Sequence, residues 1–294
     1  MPTEQNTARA RIRFYMTGPA FESDIPLHLM LTTLQDFQSI LDKTYLGLTG
    51  RKRMSREERF RFELRSQGIK TGSLKSYFDI VLNGSQTFLP MFTVASPADI
   101  WEYTKSAFEC LKAVFKNFKR QNQPTYSASD KATIIHTEDN SSHVTNNYSL
   151  VMPIAKETMP HYMDMIAHIK DEGVDSISFG PETSPITLGE PETRIFHLAT
   201  TIDKNPVTFE CTVIAFHKIK RAGKLIVCKN QHVPVGEYKF NIIGNQDFNT
   251  FIQAFKELAV TVTALREIRV DPFDPNVAKI VALQIIAIQL ETKT

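Results

Sequence analysis

The sequence predicts an α+β protein that ends in a small five-stranded β-barrel. Three observations carry this reading. Residues 1–120 order their periodic runs as strand, helix, strand, strand, helix. A polar stretch at 121–147 interrupts the apolar patterning. The last hundred residues then hold three strand-period runs, a short helix and two more strand-period runs.

The first run alternates Ile12, Phe14 and Met16 with Arg11, Arg13 and Tyr15, the two-residue period of a half-buried strand that Gly18 and Pro19 end. From Pro26, the residues Leu27, Met30, Leu31, Leu34, Phe37, Leu41 and Tyr45 recur at three- and four-residue steps, which marks one helix face. Arg59 to Ser66 alternates again, with Phe60, Phe62 and Leu64 opposite Arg59, Arg61 and Arg65, and reads as a second strand. Leu74 to Leu82 reads as the third. Gly72 and Ser73 open that strand as a hairpin end, because neither the second glycine of a nucleophile elbow nor the glycine-rich loop and helix of a phosphate site follows.

Ser96-Pro97-Ala98-Asp99 announces a helix, with a capping serine, a proline in the first turn and an acid at the positive helix end. Its apolar face is Ile100, Thr104, Ala107, Phe108, Leu111, Val114, Phe115 and Phe118. Residues 121–147 read as a polar linker with room for a small hairpin. The segment 148–200 reads as a middle subdomain, with a helix over Pro153–Lys170, short strands at Val174–Phe179 and Arg194–Ala199, and a loop over 181–193.

In the barrel domain, 201–294, strands are expected at Val207–Ile219, Lys224–Lys229, Glu237–Ile243, Leu258–Ile268 and Lys279–Leu290. A helix at Gln246–Lys256 separates the third from the fourth. That order is OB-like, the order of oligonucleotide-binding-type barrels.

Composition narrows the function classes. With 294 residues, 42% hydrophobic, 22% charged and a net charge of +2, the chain has no wholesale attraction to nucleic acid or membranes, so a charged partner needs a local patch. Cys110, Cys211 and Cys228 form no CxxC pair, and residues 1–13 lack the apolar core of a secretion signal; a cytoplasmic location is expected. No apolar run reaches the ~18 residues that span a bilayer, because Asp99, Glu102, Lys105, Glu109 and Lys112 interrupt the 88–118 region.

His161, Asp164 and His168, with Glu157 one turn earlier, share a helix face and include metal-ligating residue types. The face is the one expected to be solvated, and no HExxH spacing is present, so no metal and no cofactor is assigned. No acyl-transfer, phosphoryl-transfer or metal-hydrolysis site assembles from local motifs, and no catalytic residue is named.

Two basic clusters are the candidate contacts. Arg51, Lys52, Arg53, Arg56, Arg59, Arg61 and Arg65 put seven cations into fifteen residues, with Arg59, Arg61 and Arg65 expected as an exposed stripe on one strand face. Lys218, Lys220, Arg221 and Lys224 surround the first barrel turn. The loop between strands four and five, Val270–Val277, supplies Phe273 as a stacking candidate, while Asp271 and Asp274 there repel phosphates.

Gly18-Pro19-Ala20-Phe21 after the first strand, Gly72-Ser73 before the third, the aromatic helix after Pro97 and the terminal barrel together resemble uncharacterised bacterial proteins of domain-of-unknown-function type. The resemblance implies a link to mobile elements or phage defence and implies no catalytic residue. The expected function is a non-enzymatic binding or assembly protein with a protein partner or self-association. The alternatives are a nucleic-acid-binding accessory protein using the basic stripe and barrel loops, and a membrane-acting effector using the 88–118 aromatic segment.

Overall fold

The protein is described here from a computed structural model, which places residues 7–22, 26–70, 74–83, 96–119, 125–129, 132–136, 142–146, 148–229, 232–244, 246–257 and 259–290. The chain divides into two compact units, 1–197 and 198–294, and the fold is α+β with a closed barrel in the second unit. The turn assigned to Gly72 and Ser73 lies outside the described residues, as do residues 88–95 of the aromatic segment.

The first unit is built on an antiparallel sheet ordered β2-β3-β1-β7-β8, formed by β2 (Phe62–Lys70), β3 (Leu74–Asn83), β1 (Thr7–Thr17), β7 (Ser176–Gly180) and β8 (Ile186–Leu188). Three long helices, α1 (Leu27–Thr49), α3 (Pro97–Lys119) and α4 (Tyr148–Asp171), pack on the face that carries Ile12, Phe14 and Met16. Phe37 of α1 lies 5.2 Å from Phe14 and from Phe179, and Trp101 of α3 meets Phe179 edge-on at 6.2 Å. Gly180, at a φ of 126°, leaves the room the Trp101 ring occupies; a Cβ there would collide with it.

Several expectations are corrected. The buried face of α1 is Leu29, Thr33, Phe37, Ile40, Leu41, Thr44, Tyr45 and Leu48, while Leu27 and Leu31 point to solvent. The helix is wedged among the sheet, α3 and α4, and the last three turns dictate its rotation. Arg56–Arg61 forms a short helix, α2, rather than the start of a strand. The Ser55 hydroxyl accepts from the Glu58 N–H at 3.2 Å, and Glu57 and Glu58 sit at the positive end with Arg59 and Arg61 at the negative end.

The 121–147 stretch contains a three-stranded antiparallel meander, β4 (Thr125–Ser129), β5 (Ala132–His136) and β6 (Ser142–Asn146), where a linker was expected. Residues 148–197 join the first unit instead of standing apart, because β7 pairs with β1 and extends its sheet. Where a strand was expected from Arg194, residues Glu190–Phe196 form the helix α5; the Glu192 carboxylate accepts from the Gly189 N–H at 3.2 Å and Arg194 pairs with Glu190 at 2.8 Å. The aromatic face of α3 is core: Phe108 stacks near Tyr162 and Phe196, and Phe115 lies 4.8 Å from Phe196.

The second unit closes β9 (Thr201–His217), β10 (Ala222–Val227), β11 (Gly236–Ile242), β12 (Val260–Asp271) and β13 (Asp274–Gln289) into a barrel. In chain order the strands run 1-2-3-5-4 around the barrel, with the third and fifth parallel. Helix α6 (Phe248–Ala254) lies between the third and fourth strands, the predicted OB-like order. Val207, Phe209, Cys211 and Val213 alternate into the core, where Phe251 of α6 meets Phe216 at 5.6 Å and Phe240 at 6.3 Å. The loop expected over 270–277 is instead a tight Pro272–Phe273 turn at the tip of a long β12–β13 hairpin. No alternation announces the hairpin end, because residues 275–279 are exposed on both faces.

Candidate functional site

The N-terminal basic run does not form a stripe. Arg59 makes a two-pronged contact with Asp42 at 2.8 and 2.5 Å, and Asp42 is the chief reason the Arg59 guanidinium titrates above its ordinary value. Arg61 pairs with Glu57 at 2.5 Å, Arg65 with Glu63 at 2.6 Å, and Arg51 lies 3.5 Å from Glu58. The helix α2 explains the difference: it turns Arg59 toward α1 rather than setting it beside Arg65 on a strand. Lys52 and Arg53 are exposed in the preceding bend. The uncovered side of β1 carries Arg11 and Arg13, which face Asp79 and Glu182 at 3.5 Å each, so this surface too is balanced in charge.

The histidine face of α4 meets α1. His161 Nδ1 lies 3.0 Å from Asp36, His168 3.3 Å from Glu172, and Glu157 accepts from Lys43 at 2.9 Å. Asp164 titrates above the usual carboxylate range through partial desolvation and the nearby Asp36 charge, which outweigh His161 and His168. Among the described residues no group of His, Cys, Asp and Glu has metal-binding geometry. Burial pushes the thiols of Cys110 and Cys211 up to about 12, which removes their thiolate character at neutral pH.

The barrel cluster does come together. Lys218 and Lys220 are exposed in the β9–β10 turn, and Lys224 stands on β10 directly opposite Lys239 of β11, both on the outer side of a pair whose inner side is Leu225, Val227, Phe240 and Ile242. Two lysines face to face repel, and Glu237, 2.8 Å from Lys224, relieves one of them. Among the described residues Lys218, Lys220 and Lys239 have no carboxylate within ion-pair distance.

Arg221 is different. At a φ of 51° its guanidinium lies 5.3 Å over Phe248 and donates to the Gly244 carbonyl, so it ties the turn to α6. Phe273 sits at the far end of the barrel, beyond the register pair Ile268 and Thr201, while Ala222 pairs with His217 beside the lysine turn. The two loops therefore flank the strand face from opposite ends. Asp271 is withdrawn: it is buried, accepts from the Phe273 N–H at 2.9 Å and lies 3.9 Å from Lys279.

Sequence reasoning named Lys224 and missed Lys239, whose place opposite it follows only from the barrel register. It also missed a cavity of about 540 Å³ at the Phe273 end, lined by His232, Pro234, Tyr238, Arg266, Ile268, Ala278, Lys279 and Ile280. No local signal could have found it, because its walls come from three strands and a loop. Comparison of the chain with protein-family models, with curated proteins and with solved structures returns no match.

Proposed function

We propose that this chain is a binding protein whose barrel holds single-stranded nucleic acid across the outer face of β10 and β11. The observation that carries the reading is the grouping of Lys218, Lys220, Lys224 and Lys239 on that face and its adjoining turn, against the single carboxylate Glu237. In five-stranded barrels of this order, the second and third strands and the two flanking loops form the oligonucleotide surface. The likeness is one of fold, so the lysines and not the fold bear the argument. Cations spaced along an extended face neutralise successive phosphates and release their counterions.

The test is fluorescence anisotropy with labelled oligothymidylate and oligouridylate over a series of salt concentrations, using the full chain and the Lys218→Glu, Lys220→Glu, Lys239→Glu variant. Binding that weakens with salt and is lost in the variant is expected. No binding at low salt, or wild-type affinity in the variant, overturns the reading.

A protein partner or self-association is the second reading, and Ile219 favours it. This side chain is 90% exposed between Lys218 and Lys220, and Ile252 and Phe255 are exposed on and just after α6, which Arg221 ties to the same turn. Light scattering after size exclusion, in low and high salt, separates the two readings. A defined oligomer free of nucleic acid that Ile219→Ser dissociates supports assembly, and a monomer that carries nucleic acid until salt strips it supports the first.

A further inference from the structure

We infer that the open end of the barrel, opposite the lysine turn, is a separate binding site for a small amphipathic anion: a carboxylate or a phosphate monoester on an apolar body. The cavity's 540 Å³ falls within the ~300–1,000 Å³ of small-molecule sites, and the mouths of β-barrels are a preferred place for them. Here α6 and Phe251 plug one end of the barrel, and among the described residues the other end is bounded by His232, Pro234 and the β12–β13 hairpin.

Every ionisable side chain in the lining is basic or phenolic, and none is a carboxylate. Arg266 is fixed before any ligand arrives: it binds Asp203 at 2.5 Å and the His232 carbonyl at 3.3 Å. Its Nε, like that of Arg269 three residues on, is shielded from solvent with no hydrogen-bond partner among the described residues, so this end of the hairpin holds unsatisfied donors. Tyr238 donates to the Pro234 carbonyl at 3.0 Å and so holds Pro234, which lines one wall.

Lys279 is 68% exposed at the rim and makes only a loose ion pair with Asp271 at 3.9 Å, beyond hydrogen-bond distance, so its ammonium can turn toward a bound anion at small cost. Pro234, Ile268, Ala278, Ile280 and the Tyr238 ring supply the apolar wall. A headgroup held by Lys279, with the unpartnered Arg266 Nε–H beside it and its body against these residues, uses both halves of the lining; the rest of the Arg266 guanidinium is committed to Asp203 and the His232 carbonyl. The site does not depend on the nucleic-acid reading, because no residue of the lysine face lines it.

Anilinonaphthalene sulfonate, itself an amphipathic anion, is the probe for the full-length protein. Saturable emission with one site is expected, displaced by octanoate if the head is a carboxylate or by phenyl phosphate if it is a phosphate. Lys279→Glu, which reverses the rim charge, and Ala278→Phe, which fills the cavity, are each expected to weaken the probe about tenfold or more. Far-UV circular dichroism and the urea unfolding midpoint check that both variants stay folded. Absence of saturable emission, displacement by neither anion, displacement as effective by neutral octanol, or wild-type probe affinity in both variants overturns the inference.

Discussion

Glu58 is 6% exposed, accepts the Tyr45 hydroxyl at 2.6 Å and lies 3.5 Å from Arg51 and 3.8 Å from Arg61. Burial, then the Glu58 hydrogen bond, holds the Tyr45 phenol well above its usual range. Its ring stacks on Phe62 at 4.8 Å, so Tyr45→Phe keeps the packing and removes only the donor, at an expected cost of roughly 1.5–3 kcal/mol. Glu58→Ala strands a buried hydroxyl and takes from Arg51 its carboxylate partner, while Arg61 keeps Glu57, so the larger loss is expected there. Urea unfolding followed through Trp101, the one tryptophan, measures both, and equal losses contradict the ranking. Asp164 gives a pH test of opposite sign. A carboxyl whose folded value is raised costs stability when ionised: the penalty is absent below the ordinary carboxylate value, about 4, and complete above the raised folded one. Asp164→Asn is therefore expected to raise Tm near neutral pH and to leave it unchanged in acid. A gain that persists below the carboxylate range contradicts the assignment.

At the scale of elements, the sequence was most legible where one face is wholly buried. The strands β1, β3 and β10 and the helix α3 follow their apolar periods, since Ile12, Phe14 and Met16, or Leu225 and Val227, have no other place to go. It misled where capping or ion pairing overrides the period. Arg59–Arg61 belongs to the alternation that runs over Arg59–Ser66, yet the Ser55 cap, the Asp42–Arg59 pair and the charge order along α2 end a helix there. Leu27 and Leu31 fit a helical stripe and are 62% and 55% exposed, because Phe37 locks the rotation of α1. The plug of the barrel supplies the prediction at this scale. Phe251 is fully buried against Phe216 and Phe240, and Phe251→Ala is expected to cost about 3–5 kcal/mol. Each unit holds one buried thiol, Cys110 in the first and Cys211 in the barrel, so the loss should appear as earlier labelling of Cys211 in a urea series read by mass spectrometry. The converse is expected for Gly180→Ala, whose Cβ strikes Trp101 and which acts first on Cys110. Labelling in the reverse order contradicts the placement of these residues in their cores.

For the whole molecule, the net charge of +2 hides an asymmetry that the division into units exposes. Residues 198–294 hold 12 Lys and Arg against 9 Asp and Glu, so the cationic excess of the chain lies in the barrel unit. The candidate site was only half legible for this reason. Charge runs are visible in a linear sequence, but their partners are not: Arg59, Arg61 and Arg65 lose their freedom to Asp42, Glu57 and Glu63, whereas Lys218 and Lys220 keep it and gain Lys239 through the β10–β11 register. A salt series turns this into a number. Single-stranded binding falls with a slope of about 0.7 in log affinity per log salt for each phosphate neutralised. Reversing one lysine at a time at 218, 220 and 239 should therefore lower the slope by about 0.7 for each lysine that meets a phosphate. Reversing Arg59 or Arg65, already paired with carboxylates, should leave it unchanged. If the arginine variants lower the slope and the lysine variants do not, the nucleic acid lies on the first unit and the barrel face has another occupant.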